Sequence, residues 1–557
     1  MSQRGKRELS VCNILVFLFI ASISTLSCNK DNKADNGPDS GGVDAGTDGD
    51  ADSDIDSDSD MDGDADGDGP LLSADLSVLM LDPSGGYQWH TFLGSINFGA
   101  ITGTPSNNSD VTVDSSGNIY IAGISMNPWN GPGGEAPLHA YGPSGEPDVL
   151  QSLFVMKLNA AGEYQWHTFV GSDATDMVSD NQRRNIAVDS TGAVYIAGTS
   201  SKTWDGFQGE APLNAHSSDG TDIFVLKLSP AGVYQWHTFY GSASHYRWNV
   251  GWDIVSDSND NVYITGTSDG SWSGPKGEAP LHAYSGDVSD IFVLKLSPSG
   301  AYQWHTFYGG AQDSDNSHIG HDIVLDLNDN VYITGASAGI WSGPEGEAPL
   351  HAYSSNPDRN SDDIFVLKLS PSGAYQWHTF FGSSNDDSGT DIAVDSAGNV
   401  YVTGTSRETW NGPGDRAPLH AHSDLVDFEG ELFVLKLDPS GAYQWHTFFD
   451  AQDGYAITVN STLNALYVTG TSYETWNGPA GEAPLHAYSS GNDLLVLELN
   501  KSGEYQWHTF FGSSAKDTGS GIALNATGEV IVTGGSAATW NGPEGEAPLH
   551  AHSGGGG

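Results

Sequence analysis

The string Tyr-Gln-Trp-His-Thr-Phe occurs seven times in this chain, with its Trp at 89, 166, 236, 304, 377, 445 and 507. The intervals are 77, 70, 68, 73, 68 and 62 residues. A second string, Trp-x-Gly-x-x-Gly-Glu-Ala-Pro-Leu-His-Ala in its commonest form, also occurs seven times. Its tryptophans are Trp129, Trp204, Trp272, Trp341, Trp410, Trp476 and Trp540. A near-constant period of this length signals a repeat architecture.

One period contains four strand-like runs. In residues 391–449, Asp391 to Asp395 reads as a first strand and Ser396-Ala-Gly-Asn399 as a tight turn. Val400 to Gly404 is a second strand, rich in β-branched and aromatic residues. A loop of some 25 residues carries the Trp-Asn-Gly-Pro string. Leu432 to Leu437 is a third strand, Asp438-Pro-Ser-Gly441 a turn, and Tyr443 to Phe449 a fourth strand. The first three are apolar on both faces, as a sheet covered on both sides must be. Four short antiparallel strands, seven times over, predict an all-β fold, a seven-bladed β-propeller.

The repeat begins and ends in mid-unit. Asp75 to Leu81 and Tyr87 to Phe92 read as a third and fourth strand, Gly521 to Asn525 and Glu529 to Gly534 as a first and second. Together they make one blade, which predicts closure by pairing the N-terminal strands with the C-terminal ones. Closure removes exposed sheet edges.

Phe381-Gly-Ser, followed by Asp391-Ile-Ala-Val-Asp-Ser-Ala-Gly-Asn-Val-Tyr-Val-Thr-Gly404, resembles the bacterial SBBP repeat, a seven-bladed β-propeller repeat. The resemblance covers residues 72–553. It departs at Asn460 to Leu466, where the turn gains a residue, and at Asn525 to Glu529. It implies an extracytoplasmic propeller and no particular catalytic residues.

Ahead of the repeats the chain carries an address. Arg4, Lys6 and Arg7 precede an apolar stretch over 11–27 that is short for a membrane span, and Cys28 follows Thr25-Leu26-Ser27. Residues 1–27 resemble a bacterial lipoprotein signal peptide, with Cys28 the lipidated first residue of the mature chain; a plain secretory signal is the other reading. Asn29 is not the Asp that retains such proteins at the inner membrane. By that resemblance an outer-membrane or cell-surface location is expected, with the lipid as the only membrane contact.

Residues 28–70 form a tether. The stretch 31–70 holds fifteen Asp and one Lys and has little apolar surface to bury, so it reads as a disordered spacer. Asp58, Asp60, Asp62 and Gly63 copy the start of an EF-hand loop, but position twelve is Gly69. Weak Ca²⁺ association is expected there, and no defined metal site. Residues 71–557 are the propeller, expected to act as a monomer.

The charge narrows the partners. Twenty basic against 71 acidic side chains leave −51, which excludes broad nucleic-acid binding. The two cysteines, Cys12 and Cys28, allow no thiolate zinc cluster. Gly-x-Ser-x-Gly, His-Glu-x-x-His and phosphate-binding Gly loops do not occur, so no enzyme is predicted.

Strand parity places the long Trp-bearing loops and the inter-blade loops together on one face. Two readings of the loop Trp residues stand side by side. With His139, His282, His351, His420, His486 and His550 they form either a ring of sugar-stacking sites or plugs between blades. The Trp and His of the fourth strand read as structural. A second candidate lies where three inter-blade segments break the pattern. These carry Arg183 and Arg184; His245, Tyr246, Arg247, Trp248 and Trp252; and His318 and His321. In a body with fifteen basic and fifty-five acidic side chains, such a cluster reads as a site for an acidic sugar or other anion, or as local neutralisation of Asp. The two histidines, three apart, are the start of a metal site at most.

The expected role is a surface-tethered, non-catalytic binding module for a glycan or an envelope protein. A polysaccharide hydrolase or lyase, and a structural spacer, are the alternatives.

Overall fold

The computed structural model describes residues 73–97, 109–125, 127–140, 152–171, 185–217, 220–242, 248–286, 288–310, 317–354, 361–423 and 430–553. The leader, Cys28 and the acidic tether lie outside them, as do Arg183, Arg184, His245, Tyr246 and Arg247.

The described residues form 28 strands, numbered in chain order from β1 (Ser73–Leu81) to β28 (Val530–Ser536). They make seven four-stranded sheets. Six follow the chain. The seventh has the order β2-β1-β28-β27, with β2 spanning Tyr87–Asn97 and β27 Asp517–Leu524. In the closing pair Ser77 lies opposite Gly534 and Leu79 opposite Val532, antiparallel. The ring is a closed seven-bladed β-propeller. Blades are numbered here from Ser109, the closing blade being the seventh.

Blade 5 is representative: β19 (Asp387–Val394), β20 (Val400–Ser406), β21 (Glu431–Leu437) and β22 (Tyr443–Phe449). Its first strand starts four residues before Asp391. A register shift between Gly389 and Asp391 breaks the alternation there, which is why the sequence reads as loop. Both faces are covered. Val400, Val402, Phe433 and Leu435 are buried and pack with Tyr332, Ile364 and Val366 of blade 4.

The first strands stand innermost and meet those of adjacent blades. Buried aspartates join them. Asp253 accepts the Ile323 backbone N–H at 3.0 Å, Asp322 that of Ile392 at 2.7 Å, and Asp391 that of Ile457 at 2.5 Å. Asp110 accepts from Asn185 at 3.2 Å. Each bond runs from one blade to the next, so the inner edges hold one another.

The outer edges are covered by the long loops, which do not crowd one face as parity suggests. In blade 1 the Gly131–Glu135 turn lies by Tyr164, where the fourth strand begins. The chain then climbs that strand: Leu138 N–H donates to His167 O at 2.9 Å, and Phe169 N–H to His139 O at 3.2 Å. The same pair recurs in blade 7, from Leu549 to His90 O and from Phe92 to His550 O. Each loop is a rim strap over an otherwise open edge.

The strap also clasps the following blade. Leu213 of blade 2 lies over Gly300 in the last turn of blade 3, where a Cβ would stand 2.4 Å from Leu213 Cδ1 and 3.0 Å from Trp236. Gly300 has φ +77°. Gly300→Ala therefore meets a steric and a backbone penalty together. It is expected to destabilise the ring by about 1–3 kcal/mol, read as a lower urea midpoint. Ser299→Ala, one residue earlier in the same turn, is expected to leave that midpoint within error.

Candidate functional site

The repeated aromatic residues interlock. Each loop Trp ring lies flat on the fourth-strand His of its own blade, with centroids 3.8 Å apart for Trp129–His167, 4.0 Å for Trp272–His305, 3.9 Å for Trp341–His378 and 3.7 Å for Trp410–His446. The His is held at both nitrogens. In blade 5, Tyr443 OH meets Nδ1 of His446 at 2.8 Å, and Nε2 donates to the Trp410 carbonyl at 3.0 Å. All seven blades repeat this relay. It fixes a neutral imidazole, and burial holds His90, His167, His305, His378, His446 and His508 down at about 4.

Trp204, Trp272, Trp341, Trp410, Trp476 and Trp540 are buried, and Trp129 is partly buried. Five of them also pack on an aromatic residue of the preceding blade, as Trp272 does on Tyr240 and Trp410 on Phe381, and for Trp129 and Trp204 that position is Leu93 and Val170. With one face on His and the edges on Phe, these rings are plugs between blades. The six buried ones present no free platform for a sugar. The Glu of the same string folds onto its own turn: Glu278 accepts the Lys276 N–H, and Glu347 the Glu345 N–H. His282, His351 and His486 bond fourth-strand carbonyls through Nδ1 at 2.6–2.8 Å.

The asymmetric candidates separate in the same way. Trp248 is exposed at 58%. Trp252 and His321 lie on adjacent inner strands, β11 (Asn249–Ser256) and β15 (His318–Leu325), and meet edge to face at 5.4 Å. Trp252 Nε1 donates to Thr267, and His321 Nδ1 donates to the Gly389 carbonyl. His318 is fully buried, with Nδ1 on Ser337 Oγ at 2.8 Å and Nε2 accepting the Gly310 N–H at 3.1 Å. Both of its nitrogens are engaged, so the pair does not begin a metal site. Three positions apart on one strand, the two rings face opposite sides, His318 buried and His321 partly buried.

Open space lies between blades instead. A groove of about 530 Å³ at the junction of blades 3 and 4 is lined by His282, Tyr284, Ser285, Gly310, Ile340 and Trp341. A second, of about 400 Å³, lies between blades 7 and 1, lined by Asp75, Trp129, Asn130, Leu549, His550 and Ser553. They are copies of one site. His550 and Ser553 repeat His282 and Ser285, and Trp129 repeats Trp341. The sequence hides this groove because it joins the end of one strap to the start of the next.

The Beta-propeller repeat family (SBBP) matches residues 376–408, which run from the fourth strand of blade 4 to the second strand of blade 5. Among curated proteins, an uncharacterized WD repeat-containing protein of Acanthamoeba polyphaga mimivirus is 22% identical over 418 residues, 64% of this chain. The Regulatory protein FlaEY of Caulobacter vibrioides is 22% identical over 319 residues, 53% of the chain. The matches span 29% of each of those proteins. Among solved structures, the WD40 domain of Neurospora crassa Pan2 has 9% identity and a TM-score of 0.37, covering 77% of this chain and 89% of that one. The gluconolactonase XC5397 of Xanthomonas campestris has 10% identity and a TM-score of 0.26, covering 62% and 90%.

The interlock makes two expectations. Trp410→Ala opens a cavity between blades 4 and 5 and is expected to cost about 3–5 kcal/mol in urea unfolding. The depressed imidazoles set an acid limit. The fold binds them neutral, so their contribution is complete above the ordinary 6.5 and is lost as pH falls toward 4. At pH 5 each is expected to withdraw about 1–2 kcal/mol. Thermal melts at pH 7 and pH 5 check this, with His446→Gln giving the shallower dependence.

Proposed function

We propose that this chain is an exported, lipid-anchored binding module whose ring offers a repeated inter-blade groove to a glycan with repeating units. The observation that carries the reading is the recurrence of one groove at two junctions, built from copies of the same two loop segments. A repeated site suits a repeated ligand, because weak sites on one rigid ring add by avidity. Aromatic, hydroxyl and backbone groups around the 3/4 groove suit a neutral sugar, and its volume lies in the range of small-ligand sites. The leader-like residues 1–27, Cys28 and the Asp-rich stretch support the tethering half of the reading. The absence of catalytic motifs from the sequence supports a non-catalytic role.

Calorimetric titration of the full chain with a panel of neutral and acidic polysaccharides, with and without Ca²⁺, tests the reading. Saturable binding by one neutral class, at more than one site per chain, is expected. Ile340 lines the 3/4 groove and is 46% exposed, so a charge there leaves the core intact. Ile340→Glu is expected to remove one site from the stoichiometry while leaving the affinity of the others unchanged. No binding across the panel, with capture of an envelope protein instead, overturns the glycan reading.

A further inference from the structure

The junctions behind blades 2 to 6 each contain a small seam centred on a buried acid, whereas the third strand of blade 1 opens on Ser152. The residue that opens the third strand is Asp222, Asp290, Asp363, Glu431 or Asp493 in blades 2 to 6, all buried. Each accepts the N–H and hydroxyl of a serine in its own strap: Ser217, Ser285, Ser354, Ser423 or Ser489. Two neighbouring positions vary. One precedes that serine: His216, Tyr284, Tyr353, His422 and Tyr488. The other stands at the start of the next blade's inner strand: Asn249, His318, Asp387, Gln452 and Asp517, all buried.

The two positions vary together. Where the strap residue is His216 or His422, the inner residue is an amide. Where it is Tyr284, the inner residue is His318. Each of these three seams sets one carboxyl against one imidazole, as in His216–Asp222 at 3.9 Å and His422–Glu431 at 3.6 Å. In the 4/5 and 6/7 seams the strap residue is Tyr353 or Tyr488 and the inner residue is a second carboxyl. A Cβ on Gly382 would lie 2.7 Å from Asp363 Oδ1 and 2.9 Å from Asp387 Oδ2, so those oxygens are at most about 5.6 Å apart. At Gly512 the corresponding distances are 2.4 Å to Asp493 and 3.1 Å to Asp517.

The donors to the inner acids are neutral. Asp387 accepts from the Ser383 N–H and Oγ and from Ser406 Oγ. Asp517 accepts from the Ser513 N–H and Oγ and from Ser536 Oγ. Around the 4/5 seam stand Tyr353, Asp362, Asp386, Arg407 and Glu408. Arg407 is bound to Asp386 at 3.0 Å. Asp358 and Arg359 fall in a strap segment outside the described residues. Around the 6/7 seam stand Glu474, His486, Tyr488 and Lys516.

We propose that the 4/5 and 6/7 seams are proton-held joints, in which carboxyls on adjacent blades share one proton, and release of that proton to solvent loosens the junction. Two buried carboxylates this close cannot both ionise without mutual repulsion. Burial pushes Asp387 up to about 7, Asp363 to about 6 and Asp517 to about 6 against the serine hydrogen bonds that oppose it, and a smaller push comes from a nearby acid, Asp363 on Asp387, Asp493 on Asp517 and Asp362 on Asp363. The sign follows. A carboxyl raised in the fold stabilises fully below its ordinary 3.8, and that stability is lost as pH climbs through 6 to 7. The turn aspartates Asp257, Asp326 and Asp395 are lowered and act in the opposite sense, so comparison with a variant isolates the seams. The joint does not depend on what occupies the grooves.

Amide hydrogen exchange of the full chain at pH 5 and pH 8, corrected for intrinsic rates, tests the proposal. Residues 361–363 and 383–390 are expected to open roughly tenfold more readily at pH 8, while the 2/3 junction at 248–251 does not. Asp387→Asn, which copies Asn249, is expected to abolish the difference at the 4/5 seam alone. If that variant folds poorly, infrared spectroscopy of the wild type still decides, because a buried carboxylic-acid band is expected at pH 6 and lost by pH 9. Parallel pH dependence at every junction, or no such band, overturns the joint. Tightening by millimolar Ca²⁺ that a chelator reverses overturns it as well and reassigns the seam to a cation.

Discussion

A four-stranded sheet has two faces and two edges, and stacking seven of them in a ring covers only the faces. Every inner and outer strand still carries backbone N–H and C=O groups along one side. An unpaired group sealed from water costs about as much as a lost hydrogen bond, and a bare edge invites pairing with another chain. The molecule meets this demand differently at its two radii. Inside, the carboxylates of Asp110, Asp253, Asp322 and Asp391 reach across to the next blade's backbone. Outside, the straps bond the fourth strand through residues such as Leu138 and His139.

Both solutions also tie blade to blade. The strap that covers an edge brings a Trp onto its own His and against the preceding blade, and a Leu onto the turn of the following one. Edge protection and ring cohesion are thus one set of contacts, which accounts for the near identity of the two strings. Between them, the Trp and the Leu of one strap reach two junctions. The grooves form where the end of one strap and the start of the next leave a gap.

The ring itself was legible because it rests on period and on half-blades at the two ends, features that survive without coordinates. The pairing of β1 with β28 follows directly from Asp75–Leu81 and Glu529–Gly534. The role of the loop Trp was not legible. Trp followed by Gly-Pro reads alike as platform or plug, and the residue that decides, the fourth-strand His, lies more than thirty positions away. His318 and His321 misled for a local reason: they read as inter-blade loop residues, but both stand on β15, where positions three apart face opposite sides. The inner aspartates and the grooves were invisible because each depends on two blades at once.

Where copies differ, the differences are not scattered. The strings that interlock the ring barely change, whereas the seam behind each strap takes Asn, His, Asp, Gln and Asp in turn. A buried carboxyl needs either a counter-charge or a proton, because an isolated charge is too costly in a dry junction. The chain uses both answers. Behind blades 2 to 6 three seams supply an imidazole, from the strap in two cases and from the inner strand in one, and the strap residue His552 does so against Asp75 of blade 7. Two supply a second carboxyl in the position the imidazole or amide holds elsewhere, where a shared proton lowers the charge. Because the imidazole appears at either position but not at both, the two sites behave as one electrostatic unit spanning adjacent blades. That complementarity makes the seams a set of related joints rather than independent surface drift.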